Sequence, residues 1–202
     1  MKIINEREIF KVNPDYIAEL VELRGIRVLV VDNFYKNPES IRDLVLNIPF
    51  SKFSPNRSTH VNKDSNVNIT YDMRGLSSTY SRLINEYFPN EIYGDSMINS
   101  IFNNHPFTVN LAQSKDRNII PKKSSSDGFF SEIFLNIESE YSWGSSFYSN
   151  DNNCVGVIPM EFNRMLLFDN KVFHNSYMEK DSYIDDNYRI SQQVYINESL
   201  VL

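Results

Sequence analysis

The sequence predicts a mostly β fold with flanking helices, an α+β sandwich or barrel. Two observations carry this expectation. From about residue 98 onward nearly every segment reads as a short strand, with turn residues between the runs. Ahead of that region lie two amphipathic helices, each with an apolar stripe that needs a sheet to pack on. At 202 residues the chain is long enough for a real core, and 14 Phe, 12 Tyr and one Trp supply bulk.

Taken in order, residues 1–25 leave a choice between a short helix and an irregular strand pair, with Tyr16, Ile17, Leu20, Val21 and Leu23 as the apolar positions. Ile26 to Val31 is a nearly continuous β-branched run and reads as a buried strand. Asn37 as N-cap, Pro38 in the first turn and Glu39 beside it mark a helix start. Ile41, Leu44, Val45 and Ile48 then recur at helical spacing, and the ring of Pro49 stops the helix. Residues 51–75 are polar and loop-like around Pro55, Asn56, Arg57 and Ser58, with Val67, Ile69 and Tyr71 alternating as a short strand. A second helix is expected from about Ser77 to Tyr87, its stripe formed by Leu76, Tyr80, Leu83, Ile84 and Tyr87, with Pro89 closing it.

Beyond it, Phe107, Val109 and Leu111 alternate with polar or small neighbours. Strands are expected at Phe130–Asn136, Trp143–Ser149, Val155–Ile158, Met165–Phe168, Val172–Met178 and Arg189–Asn197. The last of these places Ile190, Gln192, Val194 and Ile196 on one face and Arg189, Ser191, Gln193 and Tyr195 on the other.

Bulk properties exclude several functions. The formal net charge is −6 and no basic run exists, which argues against a nucleic-acid partner. A single cysteine, Cys154, excludes an internal disulfide and a Cys-based zinc site. No apolar run is long enough to span a bilayer, and Met1 to Glu8 lacks the apolar core of a signal peptide, so a cytoplasmic protein without a membrane partner is expected. Six glycines make a Gly-rich phosphate loop improbable.

The chemistry concentrates between Asn163 and Asn197. His174 ends one expected strand and Arg189 begins the next. On neighbouring strands of a small barrel these two could hold a metal ion and the carboxylate of a bound acid. The bland alternatives are a hydrogen-bonded structural histidine, and an ion pair from Arg189 to Asp181, Asp185 or Asp186. The stretch from Gln113 to Phe129 holds Lys115, Arg117, Lys122, Lys123, three serines and Asp127-Gly128. It reads as a solvated loop or as the rim of a site, where Lys122 or Lys123 would neutralise an anion. Trp143 and Tyr148 read as packing residues, Arg164 as a turn cap, and Glu179 to Asp186 as a solvated acidic loop.

These residues carry a resemblance. The chain resembles the iron- and 2-oxoglutarate-dependent oxygenases, and within them the prolyl-hydroxylase-like and the bacterial and phage branches. Val31-Asp32-Asn33-Phe34-Tyr35 followed by Pro38-Glu39-Ser40-Ile41-Arg42 resembles the family's strand-to-helix entry. Phe134-Leu135-Asn136 resembles its Tyr-Leu-Asn strand, and Trp143-Gly144-Ser145-Ser146-Phe147-Tyr148 stands where it carries Gly-Gly-Thr and an aromatic pair. Asn163 to Asp169 with His174 resembles the approach to the distal iron-ligand histidine, and Arg189-Ile190-Ser191 the Arg-x-Ser that holds 2-oxoglutarate. The resemblance implies a double-stranded β-helix, a jelly-roll, cupin-like barrel propped by N-terminal helices. It implies a single domain over 1–202, with 1–97 as helical and strand support and 98–202 as barrel core. It also implies Fe(II) held by two histidines and a carboxylate, and a small 2-oxo acid as partner.

The pattern departs from the family at the first half of the metal site. No His-x-Asp precedes the Phe129–Asn136 strand; the chain reads Ile120-Pro121-Lys122-Lys123-Ser124-Ser125-Ser126-Asp127. Aligned on Pro121, Lys122 replaces the histidine and Ser124 the carboxylate; aligned on Asp127, Ser125 replaces the histidine. His60, in the polar loop, and His105, ahead of Pro106, do not obviously complete the set. Two readings follow. One is an oxygenase with His174 and Asp127 at the metal and Arg189 with Ser191 at 2-oxoglutarate. The other is a jelly-roll binding or structural protein that has lost its iron. The Asn-rich composition suits a phage or an AT-rich bacterial genome.

Overall fold

A computed structural model of the chain describes residues 9–47, 61–64, 74–89, 108–112, 123, 127–137, 143–178 and 189–197. The first strands form a hairpin, β1 (Ile17–Leu23) against β2 (Ile26–Asp32), with Leu23 paired to Ile26. The two residues between them, Arg24 and Gly25, both have positive φ (50° and 88°), the backbone a two-residue hairpin turn requires. This resolves the choice left open over residues 1–25, and the Arg24-Gly25 pair was its available sequence signal. Helix α1 spans Pro38–Asn47 and begins, as expected, just after Asn37, whose carbonyl accepts from Ser40 N at 3.2 Å.

Strand β3 (Val61–Asp64) lies inside the stretch expected to be a polar loop; it pairs with β4 (Thr108–Ala112), so backbone pairing overrides its polar composition. The alternation at Val67–Tyr71 lies outside the described residues, as do most of the loop 113–126 and the insert 179–188. Helix α2 spans Arg74–Tyr87, starting three residues before the expected Ser77, and Leu76, Tyr80, Leu83 and Ile84 are buried. No helix among the described residues is long and apolar enough to cross a membrane.

The remaining strands are β5 (Gly128–Phe134), β6 (Trp143–Tyr148), β7 (Cys154–Pro159), β8 (Met165–Asp169), β9 (Phe173–Met178) and β10 (Arg189–Asn197). They assemble with the earlier ones into two antiparallel sheets, a seven-stranded sheet in the order β1-β2-β8-β5-β10-β4-β3 and a three-stranded sheet in the order β7-β6-β9. The expected barrel is corrected here. No ladder joins the two sheets among the described residues, and each keeps two edges: β1 and β3 on one, β7 and β9 on the other. The fold is a mixed α+β arrangement of jelly-roll-like topology, left open.

The side chains between the sheets explain the opening. Phe130, Phe134, Trp143, Phe147 and Phe168 fill the gap with Val28, Val30 and Leu166, and faces packed this way stand about 10 Å apart, beyond backbone pairing distance. Where β1 approaches β7 the contact is made by side chains. A Cβ built on Gly156 would come within 2.9 Å of Leu23, so the glycine is what lets Leu23 lie on β7.

The outer face of the large sheet carries a second core. Leu29, Val31, Phe129, Ile133, Leu167, Ile190 and Val194 pack against Ile41 of α1 and Leu76, Leu83 and Ile84 of α2. Polar groups under the helices are matched. Tyr80 Oη and Ser131 Oγ are 2.7 Å apart, and Tyr35 Oη donates to Gln192 Oε1 at 3.0 Å. Burial pushes both phenols well above their usual range, Tyr35 further by the neighbouring Tyr80, while their hydrogen bonds oppose the shift. Tyr80→Phe should therefore cost about 1–2 kcal/mol by orphaning Ser131 Oγ, and Tyr80→Phe with Ser131→Ala should recover part of it. Urea unfolding of both single variants and the double measures this; losses that simply add in the double would show that the pair is not coupled.

Arg164, expected to cap a turn, does more. Its Nε and Nη2 form a fork on Asp32 (2.6 and 3.0 Å), Nη1 donates to Pro159 O and Nη2 also reaches Glu161. It ties the end of β2 to the β7–β8 crossing between the sheets.

Candidate polar site between the sheets

Alternation along β5 decides what enters the space between the sheets. Phe129, Ser131 and Ile133 face the helices, and Phe130, Glu132 and Phe134 face the small sheet. A carboxylate therefore lies in an apolar layer, and Glu132 is only 3% exposed. It is held there by donors from both sheets. Ser145 Oγ of β6 donates to Oε2 at 2.7 Å; from β10, Ser191 Oγ donates to Oε1 at 2.7 Å and Gln193 Nε2 to the same oxygen at 3.3 Å. Tyr195 Oη lies 3.5 Å from Gln193 Oε1, extending the line of donors outward. The Tyr195 phenol is pushed up to about 12, first by burial and then by the negative charge of Glu132. Since 43% of this residue remains exposed, solvent screens the shift and it contributes little to stability.

His174 is the second residue of β9, paired with Phe147 of β6. Its ring stacks on Phe130 (centroids 4.9 Å apart, planes at 29°) and meets Phe168 edge-on (4.9 Å, 70°). Nδ1 lies 2.9 Å from Val172 O. A carbonyl only accepts, so Nδ1 carries the proton, and in the neutral ring Nε2 keeps its lone pair. β9 and β10 are not neighbours, in contrast to the barrel expectation: His174 belongs to the small sheet and Arg189 opens a strand of the large one, paired with Ala112. The Arg189 side chain lies outside the described residues.

Asp127 precedes β5, is exposed, and forms an ion pair with Lys171, itself exposed. Lys123 lies over the face of Phe173, 4.5 Å from its centroid. Lys122, Ser124, Ser125, His60 and His105 fall outside the described residues. Trp143 is buried between the sheets, and Tyr148 Oη accepts from Ser146 Oγ at 3.2 Å.

The fit to an iron–2-oxoglutarate pair can now be judged from these contacts. His174 presents a nitrogen suited to a metal, but among the described residues no three His, Cys, Asp or Glu side chains group to hold one. Ser191, the hydroxyl that the resemblance assigns to the acid, donates to Glu132. The described residues do not fit that pair. Glu132, Ser145 and Gln193 went unrecognised as a site in the sequence. The signal was there: Glu132 is a lone carboxylate in Phe129-Phe130-Ser131-Glu132-Ile133-Phe134-Leu135, and such a group has to find donors.

A groove of about 260 Å³ lies elsewhere, lined by Arg27, Phe88, Phe129 and Asp169 among others. Its cation is engaged by the chain: Arg27 stacks over Phe88 at 5.1 Å and donates to Tyr87 O at the end of α2.

No protein-family model matches the sequence, and no curated protein matches it. Solved structures do. A prolyl hydroxylase from Trichoplax adhaerens, in complex with a hypoxia inducible factor oxygen degradation domain peptide fragment, is similar over 86% of this chain and 84% of its own, with a TM-score of 0.54 and 15% identity. A putative oxygenase from Shewanella oneidensis covers 96% of this chain and 71% of its own at a TM-score of 0.38 and 10% identity, too distant to carry an argument. At such identities the likeness is one of fold alone: the chain shares its fold with that prolyl hydroxylase.

Proposed function

We propose that this chain is a non-catalytic protein on the oxygenase fold, of the prolyl-hydroxylase-like kind, in which the space between the sheets serves binding and not iron-dependent turnover. One observation carries the reading: the carboxylate of Glu132 takes the hydroxyls of Ser145 and Ser191 and the amide of Gln193. The carboxyl already seated there occupies the donors that such an enzyme would turn to its acid, Ser191 among them.

A second reading has a specific observation in its favour, the His174 tautomer that leaves Nε2 as the accepting nitrogen. Under it His174 and Asp127 would serve a metal, and Arg189 with Ser191 the carboxylate of 2-oxoglutarate. The two separate in one experiment. Purified protein given Fe(II) and 2-oxoglutarate should release no succinate above the protein-free control, and titration with Mn(II) as a redox-silent stand-in should show no saturable binding. Turnover that requires both additions, and that falls with His174→Ala, would replace the first reading by the second.

A further inference from the structure

We propose that Glu132 is a tethered ligand, and that Ser145, Ser191 and Gln193 form a carboxylate-binding cradle that the chain fills with its own side chain. The ligand class is a small monocarboxylate. The inference deepens the non-catalytic reading and rests on it for the use of this space, while the cradle itself stands on the contacts described above.

The donors and the acceptor form a matched set. Each carboxylate oxygen is engaged: Oε2 accepts from the Ser145 hydroxyl, and Oε1 from the Ser191 hydroxyl and the Gln193 amide. The cradle is also dry: Glu132, Ser145 and Ser191 are 3%, 2% and 0% exposed. An apolar residue on β5 would bury there without the cost of desolvating a carboxylate, but would take the acceptor away from Ser191 Oγ and Gln193 Nε2. Hydroxyls and an amide arranged in this way select an anion with two oxygens. The aromatic wall beside it, Phe130 with Phe168 and His174, suits a short apolar tail.

The cradle also spans the sheets. Ser145 belongs to the small sheet and Ser191 and Gln193 to the large one, so whatever carboxylate sits there links the two. In the native chain the link is covalent on one side, through β5. A free acid would make the same link by hydrogen bonds alone.

Truncating Glu132 to alanine removes the heavy atoms of one acetate ion: a methylene carbon and a carboxylate. Acetate is therefore the probe. The melting temperature of Glu132→Ala should rise with acetate and saturate, by about 3–6 °C at about ten times the acetate Kd, over chloride at the same ionic strength. The native protein and Glu132→Gln should show no such excess, and adding Ser191→Ala to Glu132→Ala should remove it. An equal response in all variants, or none in Glu132→Ala, would overturn the cradle. If Glu132→Ala does not fold in chloride, the readout becomes refolding yield in acetate against chloride, where recovery supports the cradle and equal yields overturn it. These outcomes do not depend on iron. A cradle without turnover leaves both inferences standing, turnover removes the first, and failed rescue removes the second.

Discussion

Asn163→Ala should destabilise the protein by about 4 kcal/mol, two orphaned buried backbone groups and a strained φ together. The residue is 5% exposed and sits at φ 65°, in the left-handed region that asparagine tolerates and alanine resists. Its side chain behaves as a stretch of strand. Oδ1 accepts from Tyr35 N and Nδ2 donates to Tyr35 O, both at 2.8 Å, while its own backbone accepts from Phe34 and donates to Phe134 O. One residue thus clamps the segment after β2 to the entry of β8. Asn163→Gly separates the two contributions, since glycine accepts the φ and loses only the amide. Urea unfolding should place Asn163→Gly between native and alanine. A loss below about 1 kcal/mol for Asn163→Ala would mean that water or a rearranged chain replaces both bonds.

Phe168→Ala should cost about 4 kcal/mol, in the range for aromatic truncation in a core that cannot collapse. Phe168 is fully buried, 5.3 Å from Phe130, 5.0 Å from Phe147 and 4.9 Å from His174. Like Phe130, it touches aromatic residues of both sheets at once, so its removal leaves a void in the interlayer. Phe168→Leu, which keeps most of the volume, should lose distinctly less. Thermal or urea unfolding of the pair measures the difference, and equal losses would assign the effect to ring contacts over filled volume. Removal should also loosen His174, whose imidazole signals, read by NMR, should broaden or shift.

Much of the fold was legible because its elements declare themselves locally. The Asn37-Pro38-Glu39 start, the α2 stripe and the alternation of β10 each appear at the expected place. Closure was not legible. Whether two sheets join at their edges depends on pairings between strands far apart in the chain, and no local period reports that. Strand β3 escaped notice for a related reason: Val61-Asn62-Lys63-Asp64 is polar, and its pairing with β4 is supplied from elsewhere. The site was legible by halves. His174 and Ser191 were singled out, but their surroundings were not, and the surroundings decide what they do. Ser191 reads as an acid binder until Glu132 is seen to be the acid it holds. The burial of Glu132 follows from Phe130 and Phe134 on either side of it along the same face of β5 and from a facing sheet. Only the first of these is written in the sequence.

The strand order carries a consequence for synthesis. β10 comes last in chain order, yet it lies between β5 and β4 and is their link in the large sheet. Until the ribosome has passed residue 197, β3 and β4 have no route to the rest of that sheet, and Glu132 lacks the two donors from β10. The nascent chain must hold β5 with one edge open and a carboxylate short of two donors beside its aromatic layer. Non-local pairing of this kind folds slowly and leaves strand edges exposed in the meantime. Among the described strands, the large sheet is completed from its middle, by the one made last.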